Sequence, residues 1–419
     1  MKISPINYKH LAKTLSQGFG IALLFSFFIY AEHYNLSFKL LNTLTALTAF
    51  YFLLSATRAQ LLATGGFIGL LWFYWIGYSF EYYNVGWMAP FITLFFVLLY
   101  SLFFGLVSLS KQPLIRAVIL FLLSYIEPMD WNWLQMELPF IDSYLGVEKW
   151  QYALILLSLA LIHYLGQQQH FKRYRFTPLL ILLFAIPYQT QALQESSLKI
   201  KLYAPTLLQE NKWKRENRKA IIEDNFTFIK EAIKEGYDLV VLPESAFPLY
   251  LNRDHQLRSQ LKYYSRRIDI ITGALYTENK NHFNVSYHFS NTKMTMAKKL
   301  VLVPFGEYIP LPKFMQDIIN DLFFDGTADF QTATAPTDFI VKGVSFRSAI
   351  CYEATCEEIY EGNPKYLIAI SNNAWFHPSI EPTLQKLLMQ FYTKKHGSII
   401  YHSANMGGAG VVSGRTLQQ

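Results

Sequence analysis

Long apolar runs fill almost all of the first 190 residues and then stop. A helix needs about 20 mostly apolar residues to cross the hydrocarbon core of a bilayer, and only helices or closed barrels satisfy their backbone groups there. Seven runs are candidates for crossing helices: 15–31, 40–56, 61–80, 87–109, 114–126, 150–165 and 176–189. The fifth and seventh are short, and the seventh carries Pro178 and Pro187. The expected architecture is an all-α transmembrane bundle over 1–190, followed by a separate domain of mixed helices and strands over 191–419.

Charges between the runs supply an independent test, because lysine and arginine favour the cytoplasmic side. Lys2, Lys9 and Lys13 precede the first run, and Arg58 follows the second. Lys111 and Arg116 follow the fourth, and Lys172, Arg173 and Arg175 follow the sixth. The alternate connections carry Glu32, then Glu81, then Glu127, Asp130, Glu137, Asp142 and Glu148. The alternation predicts a cytoplasmic N-terminus. An odd number of spans then places everything beyond about residue 190 on the far side. Trp131, Trp133 and Trp150 in the connection 126–150 suit a membrane interface, where aromatic rings settle. No short apolar stretch followed by a small-residue cleavage site opens the chain, so no removable signal peptide is expected.

The net charge of +7 comes with no basic tract interleaved with aromatics, which argues against a nucleic-acid partner. Few charges fall within the runs, which argues against an ion or substrate pathway. The two cysteines, Cys351 and Cys356, are five apart, a spacing that suits neither a disulfide framework nor a recognisable metal site.

Beyond residue 190 the periodicity changes. Strands are expected at 198–203, 238–242, 268–276, 283–289, 293–303 and 366–371, with a pair over 339–350 that turns at Gly343. Helices are expected at 217–235, stopped by Gly236, and at 383–395. Three strand ends carry reactive groups. Glu244 follows Leu239-Val240-Val241-Leu242, Cys351 follows 346–350, and Lys299 lies in the strand leading into Leu302-Val303-Pro304. A carboxylate can take a thiol proton, a thiolate can attack a carbonyl, and an ammonium can stabilise the resulting oxyanion. Spacing alone does not single these three out. A cysteine ending an apolar strand is usually a buried structural residue, and a strand lysine usually reaches to solvent.

Four segments occur in a definite order: Val240-Val241-Leu242-Pro243-Glu244-Ser245, Lys299 before Val303-Pro304-Phe305-Gly306-Glu307-Tyr308, Ala349-Ile350-Cys351-Tyr352-Glu353, and Ile370-Ser371-Asn372-Asn373-Ala374-Trp375-Phe376. In this order they resemble the nitrilase-fold superfamily, and within it the apolipoprotein N-acyltransferase family, whose membrane half the first 190 residues also resemble. The resemblance implies an α+β, nitrilase-like αββα sandwich. It implies Glu244 as base, Lys299 as oxyanion clamp and Cys351 as nucleophile, with Glu307, Tyr352 and Glu353 in support. Trp213, after Leu207-Leu208-Gln209-Glu210-Asn211-Lys212, matches a family tryptophan more loosely, and a partly exposed packing role fits it as well. Lys298 adjoins Lys299, and Cys356 reads as structural.

The implied reaction transfers an acyl chain from a phospholipid, with phosphatidylethanolamine as the expected donor, to the diacylglyceryl-cysteine at the N-terminus of an apolipoprotein. No metal or organic cofactor is implied. The implied location is the bacterial inner membrane, with the catalytic domain in the periplasm. Apolar segments 314–324 and Trp375-Phe376 are candidate acyl-pocket walls. The family pattern continues into an eighth span, for which the residues after Ser413 leave no room, so a short form or a curtailed C-terminus is expected. A membrane-tethered nitrilase-like amidase, using the same residues with water as acceptor, is the principal alternative. A non-catalytic membrane scaffold is the other.

Overall fold

The computed structural model describes residues 8–188, 192–279, 281–304, 307, 330–414 and 417–418. The segment 314–324 lies outside the described residues. The chain divides into two compact units, Met1–Phe80 with Gly86–Gln189, and Glu81–Val85 with Thr190–Gln419.

The first unit is helical. Its α-helices are α1 (Tyr8–His33), α2 (Lys39–Ser55), α3 (Arg58–Phe73), α4 (Ala89–Gly105), α5 (Pro113–Leu123) and α6 (Lys149–Gln167). Among the described residues, three helical stretches are long and apolar enough to cross a membrane: Tyr8–His33, Arg58–Tyr82 and Gly86–Leu109. Helices α2 and α5 are apolar but shorter. The seventh run forms 3-10 turns over Thr177–Ala185 rather than an α-helix.

Local sequence sets the ends of α3. Thr57 and Gln60 form a reciprocal capping box, each side chain accepting the other's backbone N–H. Arg116 is buried rather than free in a loop. Its guanidinium donates to the carbonyls of Leu54, Ala56 and Ser110, and so satisfies the end of α2. The interior is aromatic. Phe25 of α1 lies 5.5–5.8 Å, ring to ring, from Phe50 of α2, Trp72 of α3 and Phe104 of α4. Trp72 donates from its indole to Ser26 at 2.8 Å. Trp131 and Trp133 belong to this interior, each only 3% exposed and stacked near Trp75, whereas Trp150 is exposed. The interface expectation therefore fails for Trp131 and Trp133, and only Trp150 keeps the exposure that it requires. The other two have ring partners available and bury against them.

Apolar side chains gain nothing from burial among lipid tails, so helices in a bilayer associate through close packing at small residues. Gly65 and Gly69, one turn apart on α3, serve that purpose. A methyl group at either would strike the backbone of Tyr100 or Phe96 on α4.

The second unit holds two main sheets. The first has the order β2 (Ile200–Leu202), β3 (Leu239–Val241), β5 (Asp269–Glu278), β6 (Asn281–Ser290), β7 (Lys293–Lys298), with β4 (Phe247–Tyr250) also paired to β5. The second has the order β12 (Gly410–Val412), β11 (Ile399–Asn405), β10 (Tyr366–Asn372), β9 (Val344–Ile350), β8 (Asp338–Val341). A short pair, β1 (Leu193–Gln194) with β13 (Leu417–Gln418), stands apart. One core cluster unites Leu239, Val241 and Ile271 of the first sheet with Phe346, Ile350, Ile368 and Ile370 of the second. A second cluster joins the first sheet to α8 (Arg218–Lys234) and α9 (His255–Tyr264) through Phe226, Ile229, Leu257 and Leu261. Helix α10 (Glu381–His396) packs against β11, β12 and the turn that follows β9. The remaining helix, α7 (Gln209–Lys212), is a single turn.

The expected strand over 293–303 is shorter than its apolar pattern suggested. β7 ends at Lys298, and Lys299 begins the segment beyond it. The structure adds β4, α9, β11 and β12, which the periodicity did not single out.

His402 in the middle of β11 is wholly buried, with Nδ1 2.8 Å from the Gly408 carbonyl and Nε2 2.8 Å from the Ser371 hydroxyl. Burial lowers its pKa from 6.5 to about 4. The unfolded chain therefore takes up this proton first as the pH falls. The stability that neutral His402 permits is complete above 6.5 and is lost as the pH drops toward 4. At about 1.4 kcal/mol per pH unit, the loss is roughly 3 kcal/mol.

Two predictions follow from this packing. Gly65→Leu should lower the melting temperature of the detergent-solubilised protein, by the equivalent of about 1–3 kcal/mol of overpacking. An unchanged melting curve would mean that α3 and α4 do not depend on this contact. Melting measured from pH 7 to pH 4 should fall more steeply for the wild type than for His402→Gln, and equal slopes would remove His402 as a source of acid lability.

Candidate active site

Glu244, Lys299 and Cys351 come from three segments far apart in sequence; the first two are buried and Cys351 is half-buried. Glu244 lies just past β3, 7% exposed, and Lys299 just past β7, 1% exposed. Cys351 starts the 3-10 turn that ends β9, with φ +57. That left-handed conformation is uncommon for a residue with a side chain, and such strain tends to collect at functional sites. The neighbouring lysine behaves differently: Lys298 turns outward, with its ammonium 3.8 Å from the centre of the Phe283 ring.

Glu244 is held from both sides. Its Oε1 accepts from the Asn284 amide at 2.6 Å, and its Oε2 from the Asn372 backbone N–H at 3.0 Å. Asn284 also accepts the Lys299 backbone N–H at its carbonyl, at 2.9 Å, so one residue of β6 registers both Glu244 and Lys299. Asn372 is fixed in turn by Gln209 and Asn405, each at 2.8 Å. Beneath Glu244, Gly273 comes so close that an added Cβ would lie 2.6 Å from the Glu244 Cα and from the Ser245 nitrogen.

Burial alone would lower the pKa of Lys299. Glu307, and then Glu244, Cys351 and Glu353, outweigh it and raise the pKa above the ordinary lysine value, so the ammonium stays charged. Its direct partner is Glu307 Oε2 at 2.7 Å, an oxygen that also accepts the Val303 N–H at 2.9 Å. Glu353 plays a related part. Its Oε1 accepts from Leu300 and Val301, and its Oε2 from Ile350 at 2.6 Å, which ties the lysine segment to the end of the nucleophile strand. Burial moves the Glu353 pKa up to about 7, against the opposing pull of Lys299 and these three N–H groups.

The thiol of Cys351 is pushed well above the ordinary cysteine value by burial and by Glu244, with Lys299 opposing. The site thus rests with a neutral thiol beside a carboxylate and a fixed cation. A nucleophile in this condition must lose its proton as it attacks, which is the task of a general base.

Of the supporting residues, Tyr352 is buried, and its carbonyl accepts from the Thr355 hydroxyl at 2.7 Å and the Cys356 thiol at 3.3 Å. Cys356 is buried in that contact. Trp213 is 40% exposed and stands outside the enclosed cluster, while the preceding Lys212 is inside it. Lys212 donates to the Glu244 carbonyl at 2.9 Å, and burial lowers its pKa to about 8 against the attraction of Glu244 and Cys351. The sequence reading passed over Lys212, Asn284, Glu381 and Gln385. The Gln385 amide lies 3.8 Å from the Cys351 sulfur. Asn372 stood inside a quoted segment but had no role there, because nothing in its position showed that its backbone would face Glu244. Trp375 and Phe376 are half-buried in the turn after β10.

Comparison with known proteins places the chain in a family. Residues 12–188 match the model of the apolipoprotein N-acyltransferase integral membrane domain. The chain is 41% identical over 393 residues to the apolipoprotein N-acyltransferase of Wolinella succinogenes, covering 94% of each chain. It is 34% identical over 397 residues to that of Campylobacter jejuni, covering 92% of this chain and 87% of the relative. Among solved structures, it aligns with XC1258 from Xanthomonas campestris, a CN-hydrolase superfamily protein, at 12% identity and a TM-score of 0.40, over 54% of this chain and 89% of that one. The chain belongs to the apolipoprotein N-acyltransferase family and carries its integral membrane domain.

The close approach of Gly273 makes a prediction. Gly273→Ala should displace Glu244 by a fraction of an ångström to about 1 Å and slow acylation of Cys351 by about 10²-fold. The acylation rate, followed by intact mass, checks it. A rate within about threefold of wild type would show that this contact does not position Glu244 for the reaction.

Proposed function

We propose that this protein transfers a fatty acyl chain from a membrane phospholipid to the α-amino group of the diacylglyceryl-cysteine that begins an apolipoprotein, through a thioester on Cys351. The observation that carries this reading is the convergence of a neutral thiol, a carboxylate held by two N–H donors and an ammonium kept charged by its carboxylate neighbours.

In the first half-reaction the Cys351 sulfur attacks the ester carbonyl of the donor, phosphatidylethanolamine in this reading. Glu244 takes the thiol proton, and Lys299 faces the developing oxyanion. The carbon–oxygen bond then breaks, and Glu244 returns the proton to the departing lysophospholipid. In the second half-reaction the acceptor amine attacks the thioester, a carbon–nitrogen bond replaces the carbon–sulfur bond, and the thiol is restored. Glu307 and Glu353 do no covalent chemistry. They fix the lysine and the segment that carries it, so that the cation needs no reorganisation when charge develops. Tyr352 supports the turn that presents the thiol, and Trp213 stands at the rim.

The architecture fits this chemistry. Lifting an acyl chain into water costs about 0.8 kcal/mol per CH₂, so both lipid substrates are best met at the bilayer. In this reading residues 1–190 cross the inner membrane seven times from a cytoplasmic N-terminus. Residues 191–419 form an αββα nitrilase-superfamily domain in the periplasm. The charge alternation between the apolar runs supports that orientation, and the shared core of the two sheets supports the sandwich.

Purified protein incubated with phospholipid should gain one acyl mass, and Cys351→Ser should gain none. Adding a diacylglyceryl-cysteinyl peptide should discharge the adduct and acylate the peptide. A folded protein that forms no adduct would overturn the proposal. An adduct that water removes as fast as the peptide does would favour the amidase instead.

A further inference from the structure

Glu381 opens α10 on the side that faces the nucleophile. One helical turn further on, Gln385 places its amide 3.8 Å from the Cys351 sulfur, and residues four apart share a helix face. The Glu381 side chain is 1% exposed, and its Oε2 has no hydrogen-bond partner among the described residues. Leaving a buried polar group unpaired costs about 1–3 kcal/mol, more when it is charged. The Glu381 carboxyl is held well above the ordinary range by burial and then by Glu244, with no cation among the groups that act on it. Its charge also bears on the Cys351 thiol. A second carboxylate group thus stands beside the proposed nucleophile, enclosed and without a counter-ion among the described residues, and the acylation chemistry derived above does not use it.

The missing partner has a defined chemistry. It is cationic, it donates hydrogen bonds, and it comes close to the sulfur. The acceptor amine meets all three conditions, because it arrives as an ammonium and its nitrogen must reach the thioester carbon. We infer that Glu381 is the acceptor-amine subsite, receiving the α-ammonium of the lipid-modified cysteine beside the Cys351 thioester. The inference rests on the acyltransferase reading of this site.

The protons balance as follows. Glu381 releases its proton to solvent when the ammonium binds, and a carboxylate–ammonium pair forms. The ammonium then passes one proton to Glu381, which leaves a neutral amine with a free lone pair. The amine nitrogen attacks the thioester carbonyl while Lys299 faces the oxyanion, and Glu244 takes the second N–H proton. The carbon–sulfur bond breaks, the sulfur recovers the proton from Glu244, and an amide and a free thiol remain. Two carboxylates serve because an ammonium must lose two protons to become an amide nitrogen. The thiol in the first half-reaction loses only one.

A phosphatidylethanolamine head group also carries an ammonium, but it is separated from its reacting ester by the phosphate and glycerol. The test separates the two sources. Full-length protein in micelles is acylated with phosphatidylethanolamine or phosphatidylglycerol, freed of donor, and discharged with diacylglyceryl-cysteinyl peptide or with hydroxylamine, a nucleophile uncharged at neutral pH. Glu381→Gln should slow discharge by the peptide at least about tenfold, the worth of one hydrogen bond between charged groups. Discharge by hydroxylamine should stay close to wild type. Glu381→Asp should recover part of the peptide rate and serves in place of the glutamine variant if that melts early.

Equal slowing with both nucleophiles would reduce Glu381 to a packing role and overturn the inference, as would no slowing with either. Slower acylation by phosphatidylethanolamine but not phosphatidylglycerol, with normal peptide discharge, would assign the carboxyl to the donor head group and overturn it too. If the wild type forms no thioester, the acyltransferase reading itself fails and the inference falls with it. A normal thioester with unaltered discharge in the variant defeats the inference alone.

Discussion

The geometry of this site depends on a lysine that stays charged where water is nearly excluded. Removing an ammonium from water is costly, and the cost is recovered only when opposite charges and hydrogen bonds surround it closely. Lys299 has that surround. Glu307 makes the direct ion pair, and Glu353 and Glu244 add negative charge. The arrangement also explains the geometry of the backbone. Glu307 and Glu353 accept N–H groups from the same segment that carries the lysine, and Glu353 accepts another from the end of the cysteine strand. Removing either carboxylate would therefore weaken the charge balance and the loop geometry together.

The Cys351 thiol is tuned in the opposite direction from a resting thiolate. Burial and Glu244 keep the Cys351 thiol protonated, and Lys299 opposes them without prevailing. A buried thiolate between carboxylates would be strongly disfavoured, whereas a neutral thiol that gives up its proton during attack avoids that state. In the proposed reaction, reactivity is then confined to the moment when an ester carbonyl occupies the site beside the ammonium. Protection of the thiol from chance electrophiles is a direct consequence.

The helical unit solves a different problem with different means. In lipid, burial of apolar groups drives nothing, so contact shape carries the association. Gly65 and Gly69 let α3 and α4 approach closely, and rings from four helices interlock around Phe25 and Trp72. Polar groups inside the unit are correspondingly tied. Arg116 closes the carbonyl end of α2, and Glu137 pairs with Lys149 at 2.6 Å. Charges that the sequence presented as loop markers of topology thus also serve as internal fasteners.

Hydrophobic period determined most of the secondary structure. The helix ending at Gly236 stops there because that residue takes φ +73, and the strand pair around Gly343 turns where φ is +84. Both are conformations that a glycine in the sequence announces. Pairing across the fold was not legible in this way. Lys212 lies in a one-turn helix and Glu381 at the start of a surface-like amphipathic segment, and nothing local marks either as buried. Their roles arise because the ends of β3, β7, β9 and β10 converge with α7 and α10, as in the contact between Gln209 and Asn372, 163 residues apart in the chain. Sequence periodicity reports each segment's own preference for a face. Which charged groups share one dry enclosure depends on how those faces are stacked, and only the tertiary structure decides that.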